Sequence, residues 1–212
     1  SNGLCIMEIK EALAKLREEK KRKFDQTVDV IVNLRNFDVR KEALNTFVEI
    51  PNARERKIAA FVTKRLQGVD TITEEDFTKY SDLKDIKKLA KKYDAFIAVA
   101  PMMGKIATKF GRVFGPMNRM PSPQAGIIPQ ESPEAVENMI VKMGNVIRVK
   151  NKEMAIKLAV AKESMDDEKI EQNIRAVISG LEAKLPRGKD NIKEVLIKFT
   201  MTKPYVILEK KK

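Results

Sequence analysis

Apolar positions fall into two different rhythms along this chain. Over residues 7–22 they recur at helical spacing, with Ile9, Ala12, Leu13 and Leu16 on one side. The run KFDQTVDVIVNLRN then alternates as a half-buried strand does. Phe24, Val28, Val30, Val32 and Leu34 share one face, and Asp25, Thr27, Asp29 and Asn33 share the other, with Ile31 the apolar exception. Asn45 to Ile50 reads as a second strand, ended by Pro51-Asn52.

The rhythm then changes. RKIAAFVT (Arg56 to Thr63) and DAFIAVA (Asp94 to Ala100) are short and almost continuously apolar. Strands of that kind are buried on both faces, and helical segments separate or follow them: EEDFTKY, then LKDIKKLAKK with Leu83, Ile86 and Ala90 aligned. This alternation predicts a parallel α/β sheet. A further helix, PEAVENMIVKM, is entered through Ser132-Pro133 and aligns Val136, Met139, Ile140 and Met143, methionines that serve as core filler.

From Val146 the first rhythm returns. NVIRVKNKEMAIKLAVA divides into two strands. SMDDEKIEQNIRAVISGLEAKL opens on a capping-box pattern, Ser164 with Asp167, and carries Ile170, Ile174, Val177, Ile178 and Leu181 as one stripe. PRGKDN is a basic turn. EVLIKFTM points Val195, Ile197 and Phe199 one way and Lys198 and Thr200 the other, Pro204 ends it, and YVILEKKK closes the chain. The predicted fold class is therefore α/β with two domains. An outer domain of strands and helices is formed by residues 1–53 and 150–212, and an α/β domain of residues 54–149 is inserted into it. Two crossings between domains form a hinge.

Composition narrows the function. The 212 residues carry 42 Lys and Arg against 30 Asp and Glu, a net charge of +12. Residues 183–212 hold nine of these cations and three acids, and the first helix ends in EEKKRK, Glu18 to Lys23. Such an excess in a folded chain points to a polyanionic partner. The absence of histidine excludes Ser-His triads and histidine-based metal sites, and the single cysteine, Cys5, excludes an internal disulfide. The longest apolar run, AFIAVAPMMG, is far below the about 20 residues that span a bilayer, so no membrane partner is expected. Met7 reads as a natural start, with SNGLCI as a short leader lacking the basic flank of a secretory signal.

The acids Asp166-Asp167 and Glu74-Glu75-Asp76 stand where helix N-termini favour negative charge, which explains them without a catalytic role. GKIATKFG has neither of the glycine spacings that cradle nucleotide phosphates. Exposed Thr, Asn and Lys on strands near the basic tail suit contacts to phosphate and 2′-hydroxyl groups. With no tryptophan, nine Phe and three Tyr, an aromatic platform for single strands is not expected. Recognition of a folded RNA by shape is.

One stretch remains, GRVFGPMNRMPSPQAG, with backbone punctuation and only positive charge. Gly111, Phe114-Gly115-Pro116, Asn118 and Met120-Pro121-Ser122-Pro123 follow, in order and spacing, a signature of the large-subunit ribosomal protein one family. KFDQTVDVIVNL resembles the family's opening strand, SMDDEKIEQNIRAVI its long second-half helix, and KFTMTKP its closing RNA-contact turn in the archaeal form. The resemblance implies a bipartite protein, its outer domain a split α/β sandwich (α+β in character) and its insert Rossmann-like, with no catalysis and no cofactor. It implies that the outer domain binds rRNA of the mobile side stalk in the cytoplasmic ribosome. The implied partners are large-subunit rRNA, exit-site tRNA, whose release the family assists, and a mimic of the rRNA site on its own mRNA, whose translation is repressed. The free protein is expected to be a monomer. Two alternatives stand beside this reading: a ribosome-biogenesis relative of the same fold, and an α/β enzyme with a small-molecule pocket at the strand ends of the insert.

The residues the resemblance assigns to RNA are Phe24, Thr27 and Asp29 on the opening strand, Lys162 and Ser164 before the long helix, and Thr200, Met201, Thr202 and Lys203 on the closing turn. In this assignment Phe24 packs flat on RNA, the Thr27 and Thr200 hydroxyls bond sugar and phosphate, and Thr200→Val leaves the fold intact. Arg112 and Arg119 of the punctuated loop are secondary contacts, the loop itself being chiefly structural. The family usually has glycine where Thr202 and Ala161 stand and a small hydroxyl residue at Glu194, for which Lys193 is the expected ion-pair partner.

Overall fold

The computed structural model describes residues 4–211, so Ser1, Asn2 and Gly3 of the supposed leader lie outside the described residues. In chain order the elements are β1 (Leu4–Cys5), α1 (Ile9–Glu18), β2 (Thr27–Leu34), β3 (Asn45–Glu49), β4 (Ile58–Phe61), β5 (Asp70–Ile72), α2 (Leu83–Lys92), β6 (Ala95–Val99), α3 (Met103–Phe114), β7 (Ile127–Ile128), α4 (Pro133–Gly144), β8 (Val146–Lys150), β9 (Ala155–Lys162), α5 (Asp167–Lys184), β10 (Ile192–Phe199) and β11 (Tyr205–Glu209). Short 3₁₀ turns at Glu74–Lys79, Ala100–Met102 and Gly188–Asn191 join some of them.

The chain forms two compact units. One comprises the chain up to Arg54 and from Asn145 onward, and the other is Glu55–Gly144. The second crossing lies a few residues before the position the sequence pattern suggests, because β8 pairs antiparallel with β3 (Phe47 opposite Arg148) and so belongs to the outer unit.

The outer unit is built on an antiparallel sheet ordered β1-β11-β10-β2-β9. Leu4 and Cys5, read from sequence as part of a leader, pair with Glu209 and Leu208 at its edge. The alternation in β2 is realised: Val28, Val30, Val32 and Leu34 are buried, and with Ile156, Leu158, Val195, Ile197 and Phe199 they face the apolar stripes of α1 and α5. Phe24 departs from this parity. It precedes the strand and is 51% exposed. The expected capping box of α5 does not form either. Asp166 is the N-cap, Asp167 pairs with Arg17 of α1 at 2.7 Å, and the Ser164 hydroxyl is engaged elsewhere. Gly180 lets α5 lie close on β3, since a Cβ there would come within 2.5 Å of Val48 Cγ1.

The inserted unit has a wholly parallel sheet ordered β5-β4-β6-β7, as the unbroken apolar runs predict. All five residues of β6 are buried. Phe61, Phe96, Phe110 and Phe114 form its aromatic centre, with ring centroids 4.6 Å apart for Phe96 and Phe114. Asp76 closes a capping box with Thr73, and Asp82 accepts the Asp85 N–H at the start of α2, so these acids serve helix ends. The punctuated loop carries the chain from α3 back to the sheet. Asn118 takes a positive φ of 56°. Gly126, with φ 125°, brings its carbonyl onto the Ala98 N–H at 2.9 Å, where a Cβ would meet the Phe96 carbonyl oxygen at 2.9 Å. The glycines and prolines thus seat β7 beside β6.

Candidate nucleic-acid interface

Strands β2, β9 and β10 bring the assigned residues to one end of the outer sheet. Thr27 stands opposite Lys162, and Phe199 opposite Val28, so the β9–α5 turn and the β10–β11 turn flank the start of β2. Gln26 organises this end, although nothing in the sequence singled it out. It is 2% exposed, and its Oε1 accepts the Met201 N–H at 3.0 Å. Its own N–H donates to Glu163 Oε1 at 2.9 Å, and its carbonyl accepts the Glu163 N–H at 2.8 Å. One buried residue therefore fixes both turns, the β10–β11 turn through its side chain and the β9–α5 turn through its backbone.

The threonines are engaged within the protein. The Thr27 N–H donates to Thr200 Oγ1 at 2.9 Å, and the Thr200 hydroxyl reaches the Thr27 carbonyl at 3.5 Å. Thr202 Oγ1 accepts the Phe199 N–H at 2.9 Å and donates to the Phe199 carbonyl at 3.2 Å, closing the turn by itself. Ser164 donates its hydroxyl to Asp25 Oδ2 at 2.6 Å and its N–H to Asp25 Oδ1 at 3.0 Å. These hydroxyls hold the surface in shape. Thr200→Val therefore carries a stability cost, though not one that unfolds the outer unit. The substitution leaves the Thr27 N–H without its acceptor and is expected to cost about 0.5–1.5 kcal/mol of outer-unit stability, while Thr200→Ser stays near wild type. Denaturant melts of both variants check this, and equal midpoints would refute it.

Asp29 is also corrected. It lies 7% exposed among Lys157, Lys198 and Lys162, with Lys157 Nζ at 3.6 Å from Oδ2. Burial pushes its carboxyl up against the opposing pull of these lysines. Its place is beneath a cationic strand face, rather than on the open surface. Glu194 takes its hydrogen bond from Asn33 Nδ2 at 2.7 Å, not from Lys193.

Phe24 and Met201 are left outward, 51% and 54% exposed, as two large apolar side chains at the same end. Cations lie at the same end. Lys203 is exposed, with Nζ 5.5 Å from the Tyr205 ring centroid. A cleft of about 390 Å³ opens beside Gln26 and Ser164, and Arg17, Lys20, Lys21 and Arg22 line it. The basic end of the first helix thus joins the site, which the sequence registered only as charge.

The loop arginines divide. Arg119 donates Nε to the Ala90 and Tyr93 carbonyls at 3.0 and 3.1 Å and Nη1 to the Met117 carbonyl at 3.1 Å. It caps the C-terminal end of α2 and ties down its own loop, so it is not the outward contact the sequence suggested. Arg112 is exposed. Among the described residues no cluster of metal-ligating side chains occurs, and no helix is long and apolar enough to cross a membrane.

Comparison with known proteins places this geometry in context. Residues 16–203 match the family described as the ribosomal protein L1p/L10e family. The large ribosomal subunit protein uL1 of Thermococcus kodakarensis is 38% identical over 207 residues, 91% of this chain and 91% of that protein. Those of Nanoarchaeum equitans and Methanothermobacter thermautotrophicus are 36% and 35% identical, covering 88% and 92% of this chain and 93% and 95% of theirs. With the inserted unit, the punctuated loop and most of the outer unit inside the matched region, this chain belongs to the ribosomal protein L1p/L10e family.

Proposed function

We propose that the chain is a structural constituent of the large ribosomal subunit, in the cytoplasm, that binds rRNA of the mobile side stalk through the turn end of its outer sheet. The names of its relatives support the ribosomal role. The observation that carries the RNA site is the pair of exposed apolar side chains, Phe24 and Met201, on a hydrogen-bonded frame among cations. Apolar contacts stack on or wedge against RNA, and lysines hold phosphates and position the protein. In this reading Phe24 and Met201 pack on the RNA. Lys162, Lys203 and the cleft residues Lys20, Lys21 and Arg22 hold its backbone. Thr27, Ser164, Thr200 and Thr202 keep the frame rigid, so little ordering is required on binding. The same surface binds a mimic of the rRNA site on the chain's own mRNA and thereby represses translation. Within the ribosome the protein assists release of exit-site tRNA, and the free protein is a monomer.

Membership of this family makes the chain a ribosomal structural protein and not an enzyme. A cavity of about 590 Å³ does lie at the C-terminal ends of the parallel strands, lined by Thr63, Arg65, Glu74, Glu75 and Met102. Its polar groups are bonded to one another or to near neighbours: Arg65 with Asp76 at 2.7 Å, Lys105 with Glu74 at 2.7 Å, and the Thr63 hydroxyl with Glu131. They do not converge on a vacant centre.

The test is selection. Purified protein mixed with total RNA at about 0.3 M salt, where phosphate contacts alone are weak, is expected to retain a fragment of large-subunit rRNA from the side stalk. Equal retention of random RNA of the same length would sink the reading.

A further inference from the structure

Helix α2 of the inserted unit carries an arrangement that the outer-sheet site does not use. Its apolar residues Ile86, Leu89 and Ala90 are buried in the unit's own core. Its outer face shows Lys84, Lys87, Lys88 and Lys91, all exposed, at i, i+3, i+4 and i+7. Neighbours at those spacings face each other about 5–6 Å apart at Cβ, and like charges so placed destabilise a helix. One acid, Asp85, stands among them, three residues before Lys88, and it makes no close ion pair with them. Asp82 is the N-cap, and among the described residues no carboxylate lies within ion-pair distance of any of the four lysines. Elsewhere in the same unit cations do find acids, as Arg65 and Lys79 do on Asp76.

The positive charge continues past the end of the helix. Arg56, Lys57 and Lys92 line a cleft of about 400 Å³ there, together with Tyr93. Two acids stand at that end too and offset part of this charge: Asp70 accepts the Tyr93 hydroxyl at 2.7 Å, and Asp94 accepts the Lys57 N–H at 2.8 Å and acts on Arg56. Arg56 donates to the Asp94 carbonyl at 3.2 Å. A cationic line therefore runs the length of α2 and into this cleft.

We propose that this face of α2 is a second RNA surface, one that takes the sugar–phosphate backbone of a duplex without reading its bases. The proposal rests on the chain being an RNA-binding protein, which makes RNA the polyanion in reach. The lysine spacing along the helix is of the order of that between successive phosphates on one strand. Lysine acts as a point charge on phosphate and asks nothing of base identity. A membrane surface fits less well, because Ile86, Leu89 and Ala90 are buried in the unit's own core and only Leu83, at the first position of α2 and 51% exposed, is left to insert. Two surfaces on one chain raise affinity for an RNA that reaches both.

The experiment compares the full chain with a variant carrying Lys84→Gln, Lys87→Gln, Lys88→Gln and Lys91→Gln. Three RNAs are used: a side-stalk rRNA hairpin, a plain RNA duplex, and the hairpin extended by that duplex. The variant is expected to bind the hairpin as the wild type does and to lose about tenfold or more on the duplex and the extended RNA. On those two RNAs the slope of log affinity against log salt becomes shallower by about 2–3. The variant's thermal midpoint stays equal or rises, since repulsion is relieved, and the corresponding four-arginine variant retains duplex binding. Unchanged duplex affinity and salt slope in the glutamine variant would overturn the proposal and leave a solvated face. Displacement of the duplex by polyglutamate would show that the lysines hold no nucleic-acid backbone in particular, and would overturn it too. Failure of the wild type to select the hairpin would count against the outer-sheet reading alone, because duplex affinity is read separately.

Discussion

Phe24→Ala is expected to weaken rRNA binding by about five- to 150-fold, or 1–3 kcal/mol, the range for removing an aromatic side chain that stacks on a base. Stability should stay within about 0.5 kcal/mol of wild type, as for a surface substitution. The reason is position. The ring is 51% exposed and lies outside the buried cluster built on Val28, Val30 and Val32. A large apolar group left in water has nothing to lose in the fold and much to gain on a partner surface. Met201, 54% exposed and tethered through its N–H to Gln26, belongs to the same patch. Met201→Ala is expected to cost less, and the double variant less than the sum, because neighbouring groups on one RNA element couple. Affinity within twofold of wild type for both single variants, in titrations against the side-stalk hairpin, would remove the patch from the interface.

Phe24 also shows where reading the sequence stops. Strict alternation assigns it to the core face, with Val28 and its followers. That inference holds only while the strand lasts, and β2 begins at Thr27. The long elements were legible because each repeats its signal. The stripe of α5 recurs over several turns, and β4 and β6 are unbroken apolar runs, which a parallel sheet covered on both faces requires. Two-residue strands such as β1 and β7 are too short for any period and depend on a partner far away in sequence. The candidate site was legible as a set of segments through family resemblance. Its internal wiring was not. Gln26 looks like any polar residue before a strand. Its importance comes from a bond to Met201, and Thr200 meets Thr27 in the same way across the sheet. Side-chain hydrogen bonds of this kind leave no periodic trace, so Thr200 reads as a free hydroxyl and Ser164 as a helix cap, when Thr200 bonds Thr27 and Ser164 bonds Asp25. Asp29 was misread for a related reason. Alternation puts it on the open face, but the lysines about it come from β9 and β10.

The largest loss of stability from a single polar residue is expected at Asn173. It lies on the buried stripe of α5, one residue before Ile174, and is 0% exposed. Its Oδ1 accepts the Asn52 N–H at 3.0 Å, and its Nδ2 donates to the carbonyls of Asn52 and Val160, both at 2.9 Å. The amide thus satisfies three backbone groups, two where the chain leaves β3 and one in β9. Asn173→Ala removes every partner at once, leaving a buried Val160 carbonyl and two half-buried groups of Asn52. At about 1–3 kcal/mol for each buried group left unpaired, with partial relaxation, the cost is about 3–5 kcal/mol. That is a large share of the about 5–15 kcal/mol that holds a domain together. Asn173→Leu should be no better, because it restores apolar volume and leaves the same three groups unsatisfied. Asn173→Asp keeps an acceptor for the Asn52 N–H but sets a carboxylate against two carbonyls, and it is expected to be as damaging at neutral pH. The two units predict two unfolding transitions in denaturant. Only the outer-unit transition should move, while the one governed by the Phe61, Phe96, Phe110 and Phe114 centre stays in place. A shift below about 1 kcal/mol would mean that the amide's bonds are readily replaced by water. Movement of both transitions together would mean that the units unfold as one.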